Sequence, residues 1–324
     1  MLARPIEPFR QQRVDAAEFL GPALVRALER IDVMSRRVFE GKIQGERRSK
    51  RLGQSTEFHE HKSYTPGDDL RRIDWNAFAR LDRLFIRVFQ ADEDLSVHVI
   101  LDGSASMHAG DPDKLRMAQR LAVATAYVGL VKRNRVVVSV IGAPGRPGVQ
   151  TLRALRGRSN VNRIASFLLS NCHPDERDAA SPMSSGGFVS QLRSVCGAAE
   201  GKGVAVLISD FLTGDDLGGV MSQVATRFDT WALHVMSPQE LDPRLAVGAG
   251  LVGDLRLTDA ESGAGAEVTV SEPLVRRYES RLDRHLRRLT TLFSSRGIRY
   301  LLVPSDASVE SLLLRTLRER GMLG

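Results

Sequence analysis

The stretch SVHVILDGSASMHAG, residues 96–110, decides the fold. Its first half is an unbroken apolar run, the pattern of a strand covered on both faces, as in a parallel sheet. Its second half sets Asp102, Ser104 and Ser106 at alternate positions, where that strand should end. Three oxygen-bearing side chains at such a place can cap a turn, activate a nucleophile or hold a hard cation. The nucleophile reading lacks the G-x-S-x-G elbow, because Ala105 and Met107 flank Ser106. His108 is close by, but the sequence pairs no histidine with either serine.

Outward from this stretch the same alternation continues. KLRMAQRLAVATAYVGLVKR (114–133) has a helical stripe of Leu115, Ala118, Leu121, Ala122, Thr125 and Val128, after a start marked by Asp111 and Pro112. RVVVSVIG (135–142), GVAVLISD (203–210), TWALHVMS (230–237) and IRYLLVP (298–304) read as further strands, with helical patterns between them. QTLRAL (150–155) follows a Gly/Pro turn and predicts a hairpin partner, and 252–270 predicts a hairpin around a Gly-rich turn. Strands alternating with amphipathic helices predict an α/β fold, a doubly wound and mostly parallel sheet with helices on both faces. Such sheets bind ligands beyond the carboxyl ends of their strands. Asp102 ends one strand and Asp210 ends another, so two carboxylates are expected on one edge.

An oxygen-only donor set of this kind suits Mg²⁺, which takes six oxygens and keeps several waters. Neutral serine ligands would leave the ion with uncancelled positive charge, able to attract an acidic side chain of another molecule. The pattern of Asp102, Ser104 and Ser106 after an apolar strand resembles the metal-ion-dependent adhesion site of von Willebrand factor A domains. That resemblance implies a later aspartate, matched by Asp210, and a later threonine. Where the threonine is expected the chain reads Gly186-Gly187-Phe188, and Phe188 cannot ligate a metal; Ser184 or Ser185 could stand in. Weak Mg²⁺ binding, or an empty site, is therefore expected.

The first 92 residues read differently, as an N-terminal extension to a von Willebrand A-like domain over 93–324 that carries a hairpin insertion near 245–272. ALVRALERIDVMSRRVFEG (23–41) predicts a helix. The block Tyr64-Thr-Pro-Gly-Asp-Asp-Leu-Arg-Arg-Ile-Asp-Trp75, followed by Ala79-Arg80, resembles the signature of the family called domain of unknown function 58. The resemblance covers roughly residues 40–320. It implies a MoxR-type AAA+ ATPase as partner and an adaptor or co-chaperone role without catalysis. Within the block, Tyr64, Asp68, Asp69, Arg71, Asp74, Trp75 and Arg80 read either as an ion-pair network with aromatic anchors or as a recognition surface. Trp75 is expected to be buried. His59 and His61 share one strand face without a third ligand at zinc spacing.

The totals bound the remaining classes. With 324 residues, 42% of them apolar and 26% charged, the chain has the balance of a globular protein. No apolar run approaches the roughly 20 residues a membrane span needs, and the first residues lack a signal-peptide core, so a cytoplasmic protein is expected. Cys172 and Cys196 are too few for a disulfide framework and read as free thiols. The net charge of +7 concentrates in Arg36–Arg51 and in Arg276–Arg288. In the second run Arg277, Arg281, Arg284 and Arg288 share one helix face, opposite Leu274, Tyr278, Leu282, Leu286, Leu289 and Phe293. No aromatic residues interleave with the arginines to stack bases, so nucleic acid is a weaker expectation than a solvated face. Two alternatives to an interaction module stay open. One is a metal-dependent hydrolase using Asp102 and Asp210, which lacks an evident general base. The other is a nucleic-acid adaptor using the arginine clusters.

Overall fold

The computed structural model describes residues 16–33, 58–65, 70, 73–89, 95–146, 148–172, 187–199, 203–247, 253–258 and 265–324. They divide into two units: Met1–Arg37 with Leu95–Gly324, and Val38–Asp94. Helix α1 (Ala16–Leu28) belongs to the larger unit and is broken at Gly21, whose φ of 70° only glycine adopts without strain, before Pro22 restarts it. The helix expected over 23–41 ends at Leu28. Asp32 then pairs with Gly324 through two backbone hydrogen bonds of 3.0 and 2.8 Å. Helix α1, which the sequence reading put in the extension over 1–92, falls in the larger unit.

In the smaller unit, β1 (Phe58–Ser63) and β2 (Phe85–Phe89) pair antiparallel, with helix α2 (Trp75–Leu81) between them in sequence. Both His59 and His61 fall on β1 as expected, and their side chains lie outside the described residues.

The larger unit holds β3 (Ser96–Asp102), α3 (Lys114–Val131), β4 (Arg135–Ile141), β5 (Gln150–Leu155), α4 (Val161–Cys172), α5 (Phe188–Ala198), β6 (Gly203–Ser209), α6 (Leu217–Arg227) and β7 (Phe228–Met236). The hairpin β8 (Gly253–Thr258) and β9 (Gly265–Val270), helix α7 (Glu272–Ser294), β10 (Arg299–Pro304) and a helical stretch over 309–319 follow. Six strands form one sheet in the order β10-β7-β6-β3-β4-β5, parallel throughout except for β5 at the edge. The doubly wound reading of the sequence therefore holds, and so do the hairpins at β5 and over 253–270.

β3 lies in the middle, and the period-2 geometry of a strand divides its side chains between two cores. Val97, Val99 and Leu101 meet Leu20 and Leu24 of α1, Leu121 of α3, Leu168 of α4 and Leu313 of the C-terminal stretch. Ile100 belongs to the opposite core, with Leu192 of α5, Val224 of α6 and Phe293 of α7. Each such apolar side chain contributes about 1.5–3 kcal/mol on burial, and all seven residues of β3 are buried. The β3–β6 pair also requires Gly203: a Cβ there would sit 2.0 Å from the Ser96 carbonyl oxygen.

On α7, Arg276 and Arg287 pair with Glu272 and Asp283 one turn earlier, at 3.4 and 2.8 Å. Arg277, Arg281, Arg284 and Arg288 form the expected exposed row and have no carboxylate within ion-pair distance among the described residues. The apolar stripe is narrower than the sequence suggests. Val275, Leu289 and Phe293 are buried, while Leu274 and Tyr278 remain exposed.

Candidate metal centre

The parallel register sets Leu101 of β3 beside Ile208 of β6, so Asp102 emerges level with Ser209, one residue before Asp210. All three lie at the carboxyl edge of the sheet and are buried. Asp102 turns the chain: its Oδ1 accepts the Ser104 backbone N–H at 2.9 Å, and its Oδ2 accepts the Ser209 hydroxyl at 2.5 Å. The Ser104 and Ser106 hydroxyls meet at 3.1 Å, on the way into the short 3₁₀ turn Ala105–His108. Neither serine caps that turn through its side chain, so capping by the serines is not what the alternate spacing serves.

Asp210 is committed elsewhere. Its Oδ2 accepts the Lys114 ammonium at 2.9 Å, and its Oδ1 accepts the Leu212 N–H at 3.1 Å. The turn between these positions passes through Phe211, whose φ of 51° is left-handed and strained for a residue with a Cβ. The Ser209 hydroxyl accepts the Phe211 N–H at 2.8 Å, and packing against Phe188, His234 and Phe293 holds the ring in place. Lys114, the first residue of α3, is fully buried and also pairs with Glu240 in the short helix Pro238–Leu241. Glu240 is fixed in turn by a capping box with Ser237.

The electrostatics follow from these contacts. Burial, and next the Asp210 charge, push the Asp102 carboxyl up to about 6, against the opposing hydrogen bonds from Ser209 and Ser104. Burial alone would depress the Lys114 ammonium, but Asp210 and Glu240 override it and hold its pKa above the usual lysine range. Burial holds His234 near 4, with its Nδ1 2.7 Å from the Tyr300 hydroxyl. The two cysteines are free as expected and are buried, and burial pushes their thiols up to about 12 for Cys172 and about 11 for Cys196.

A polar cavity of about 160 Å³ opens at this edge, lined by Asp102, Ser104, Ser209, Thr213, Asp215 and Phe188 among others. Asp210 and Ser106 do not line it. Phe188 begins α5 where the resemblance implies a threonine, and its side chain, which carries no oxygen, stands in the cavity lining. Ser184 and Ser185 lie outside the described residues. Among the described residues no group of three or more His, Cys, Asp or Glu side chains could hold a metal ion. The oxygen donors of Asp102, Ser104 and Ser106 fit a hard cation in kind, but they are few, since Asp210 already serves Lys114. Thr213 and Asp215 line the cavity and were not foreseen; only their position just past Asp210 could have flagged them.

In the smaller unit, Asp74 is a helix cap whose carboxylate accepts the Asn76 and Ala77 N–H groups at 3.0 and 3.1 Å. Trp75, expected to be a buried anchor, is 64% exposed and makes an edge contact with Phe78 on its own helix. It occupies the first position of α2, a helix with no buried residue. Tyr64 is half-buried and Arg80 exposed, and Asp68, Asp69 and Arg71 lie outside the described residues.

The family model described as "Protein of unknown function DUF58" matches residues 60–288. The chain belongs to this family. An uncharacterized protein of Mycobacterium tuberculosis (strain H37Rv) and another of Mycobacterium bovis are each 26% identical over 259 residues, covering 78% of this chain and 76% of theirs. Among solved structures, this DUF58 chain is similar to an aerotolerance-related membrane protein from Bacteroides fragilis, at 15% identity and a TM-score of 0.39. That match covers 69% of this chain and 97% of the other. It is also similar to a von Willebrand factor type A structure from Catenulispora acidiphila, at 14% identity and a TM-score of 0.35, over 71% of this chain and 42% of that one. No described helix is long and apolar enough to cross a membrane.

Proposed function

We propose that this DUF58 chain is a non-enzymatic adaptor that grips an acidic side chain of a partner protein at the carboxyl edge of its sheet. The observation that carries this reading is the placement of Asp102 and Ser104 in the lining of a polar cavity, beside the strand end of β6. Asp102, Ser104 and Ser106 would hold a weakly bound Mg²⁺, which supplies the positive charge that an incoming carboxylate completes. Asp102 orients the loop through Ser104, and Ser209 fixes Asp102 from the neighbouring strand. The partner that the family resemblance implies is a MoxR-type AAA+ ATPase, with this chain in a co-chaperone-like assembly role. A cytoplasmic location goes with that reading.

A hydrolase would need a base free to take a proton from water. Asp210 and Glu240 are both bound to Lys114, Asp102 accepts hydrogen bonds on both oxygens, and His234 is sealed against Tyr300. These commitments favour binding over catalysis. The test is co-purification of the ATPase with wild type, with Asp102→Ala, and with wild type in EDTA. Recovery should fall in the second and third cases. Equal recovery in all three would remove the carboxyl edge from the interface.

A further inference from the structure

We propose that Lys114 is a tethered counter-ion of this edge, competing with a divalent cation for Asp210 and thereby setting whether the site takes metal. The proposal rests on the cation reading above. Lys114 occupies the first position of α3, where the positive end of the helix dipole disfavours a cation. It is nonetheless fully buried, and a buried ammonium persists only when paired and hydrogen-bonded. Both partners are built for it. Asp210 gives one oxygen to the Leu212 N–H and the other to Lys114. Glu240 gives one oxygen to the Ser237 N–H, at 2.8 Å, and the other to Lys114. The two carboxylates arrive from separate places, the end of β6 and the helix after β7, and the ammonium is what they share.

The cavity reflects this arrangement, being lined by Asp102 and not by Asp210. A divalent ion in the cavity would face the Asp102 and Asp215 carboxylates and the neutral hydroxyls of Ser104, Ser209 and Thr213, while Asp210 stays with the ammonium. Without the ammonium, the buried Asp210 and the half-buried Glu240 would lack their counter-ion, and Asp210 would be open to the cation. Lys114 is thus a specificity-determining residue: it satisfies Asp210 in place of metal and leaves the cation at the Asp102 loop weakly held.

The test titrates MgCl₂ into the metal-free full chain by calorimetry, with thermal melting in parallel. Wild type, Lys114→Met and Lys114→Gln are compared, without any partner protein. Mg²⁺ should bind the variants about tenfold or more tightly than wild type, and should raise the variants' melting temperature while barely moving that of wild type. Lys114→Gln keeps a hydrogen-bond donor for Asp210 and carries the test where Lys114→Met does not fold. Adding Asp210→Asn to the Lys114 variant should abolish the gain. Equal Mg²⁺ binding in wild type and variants would overturn the proposal. So would folded variants that bind none, or a gain that survives Asp210→Asn. A Mg²⁺ gain on replacing Lys114, alongside ATPase recovery that ignores Asp102→Ala and EDTA, would leave the counter-ion role standing and remove only the adaptor reading.

Discussion

Asp102 and Asp210 end adjacent parallel strands, are equally buried, and have opposite surroundings. Asp102 is held by neutral donors, a backbone N–H and a serine hydroxyl, and its charge is opposed by burial and by Asp210. Asp210 is held by a full positive charge. Two carboxylates that the chain pattern makes equivalent are thus divided into one that is expensive to ionise and one that locks three elements together. The pair shows that a strand-end aspartate is not by itself a ligand: its neighbour's charge decides what it is free to do.

The sharpest way to break this contrast is to truncate each aspartate in turn. Asp210→Ala leaves a buried ammonium with Glu240 alone and should lower unfolding free energy in urea by about 3 kcal/mol or more. Asp102→Ala should cost about 1 kcal/mol or less, because it relieves like-charge repulsion while losing two hydrogen bonds. The reverse order would mean that Asp102 is the structural partner.

A second experiment reads the contrast through pH. The folded-state pKa of Asp102, about 6, lies above its ordinary value of 3.8, so the native state binds that proton more tightly. Its contribution favours the fold below pH 3.8 and is lost as pH rises through 6. Asp102→Asn cannot titrate, so its stability relative to wild type should climb between pH 4 and pH 6, by on the order of 2 kcal/mol, and then level off. His98 and His234, depressed to about 4 mainly by burial, act in the opposite sense: their contribution is present above 6.5 and lost as pH falls through 4. Both proteins share those histidines, so the difference isolates Asp102. A flat difference across that range would mean its surroundings do not oppose ionisation.

A third aspartate supplies the yardstick. Asp74 makes two cap hydrogen bonds to backbone N–H groups of its own helix. Asp74→Ala should lower stability by about 1 kcal/mol, between the two sheet-edge aspartates. The smallest effect is expected at its neighbour. Trp75→Ala, at an exposed ring, should shift stability within about 0.5 kcal/mol. A loss of about 3 kcal/mol, as for a buried aromatic ring, would mean that another surface covers it.

The strand 96–102 was legible in the sequence because burial on both faces leaves an unbroken apolar run, and the D-x-S-x-S spacing marked where it ends. Asp210 was legible for the same reason, behind the run 203–209. Lys114 was not. In sequence it follows Asp113 in a polar turn and reads as a surface lysine of a first helical turn; its burial comes from tertiary packing with β6 and the helix after β7. One signal was available: a lysine at a helix N-terminus opposes the dipole and needs carboxylates from elsewhere, and the S-P-Q-E capping box at 237–240 marked one of them. Trp75 was misread because aromatic residues among charges look like anchors. Whether such a ring is buried depends on which face of a two-turn helix meets the strands, and seven residues carry too little periodicity to tell.

The arginine row of α7 has a consequence that acts before any contact is made. Four guanidinium groups within about three helical turns, without a carboxylate partner among the described residues, give this helix face a positive field reaching roughly 8–10 Å at physiological ionic strength. An approaching acidic surface is turned by that field toward one face of this chain. Such orientation shortens the search for a productive encounter and barely alters how long the complex lasts. Added salt should therefore slow association and leave dissociation nearly unchanged, and neutralising Arg281 and Arg284 should flatten that salt dependence.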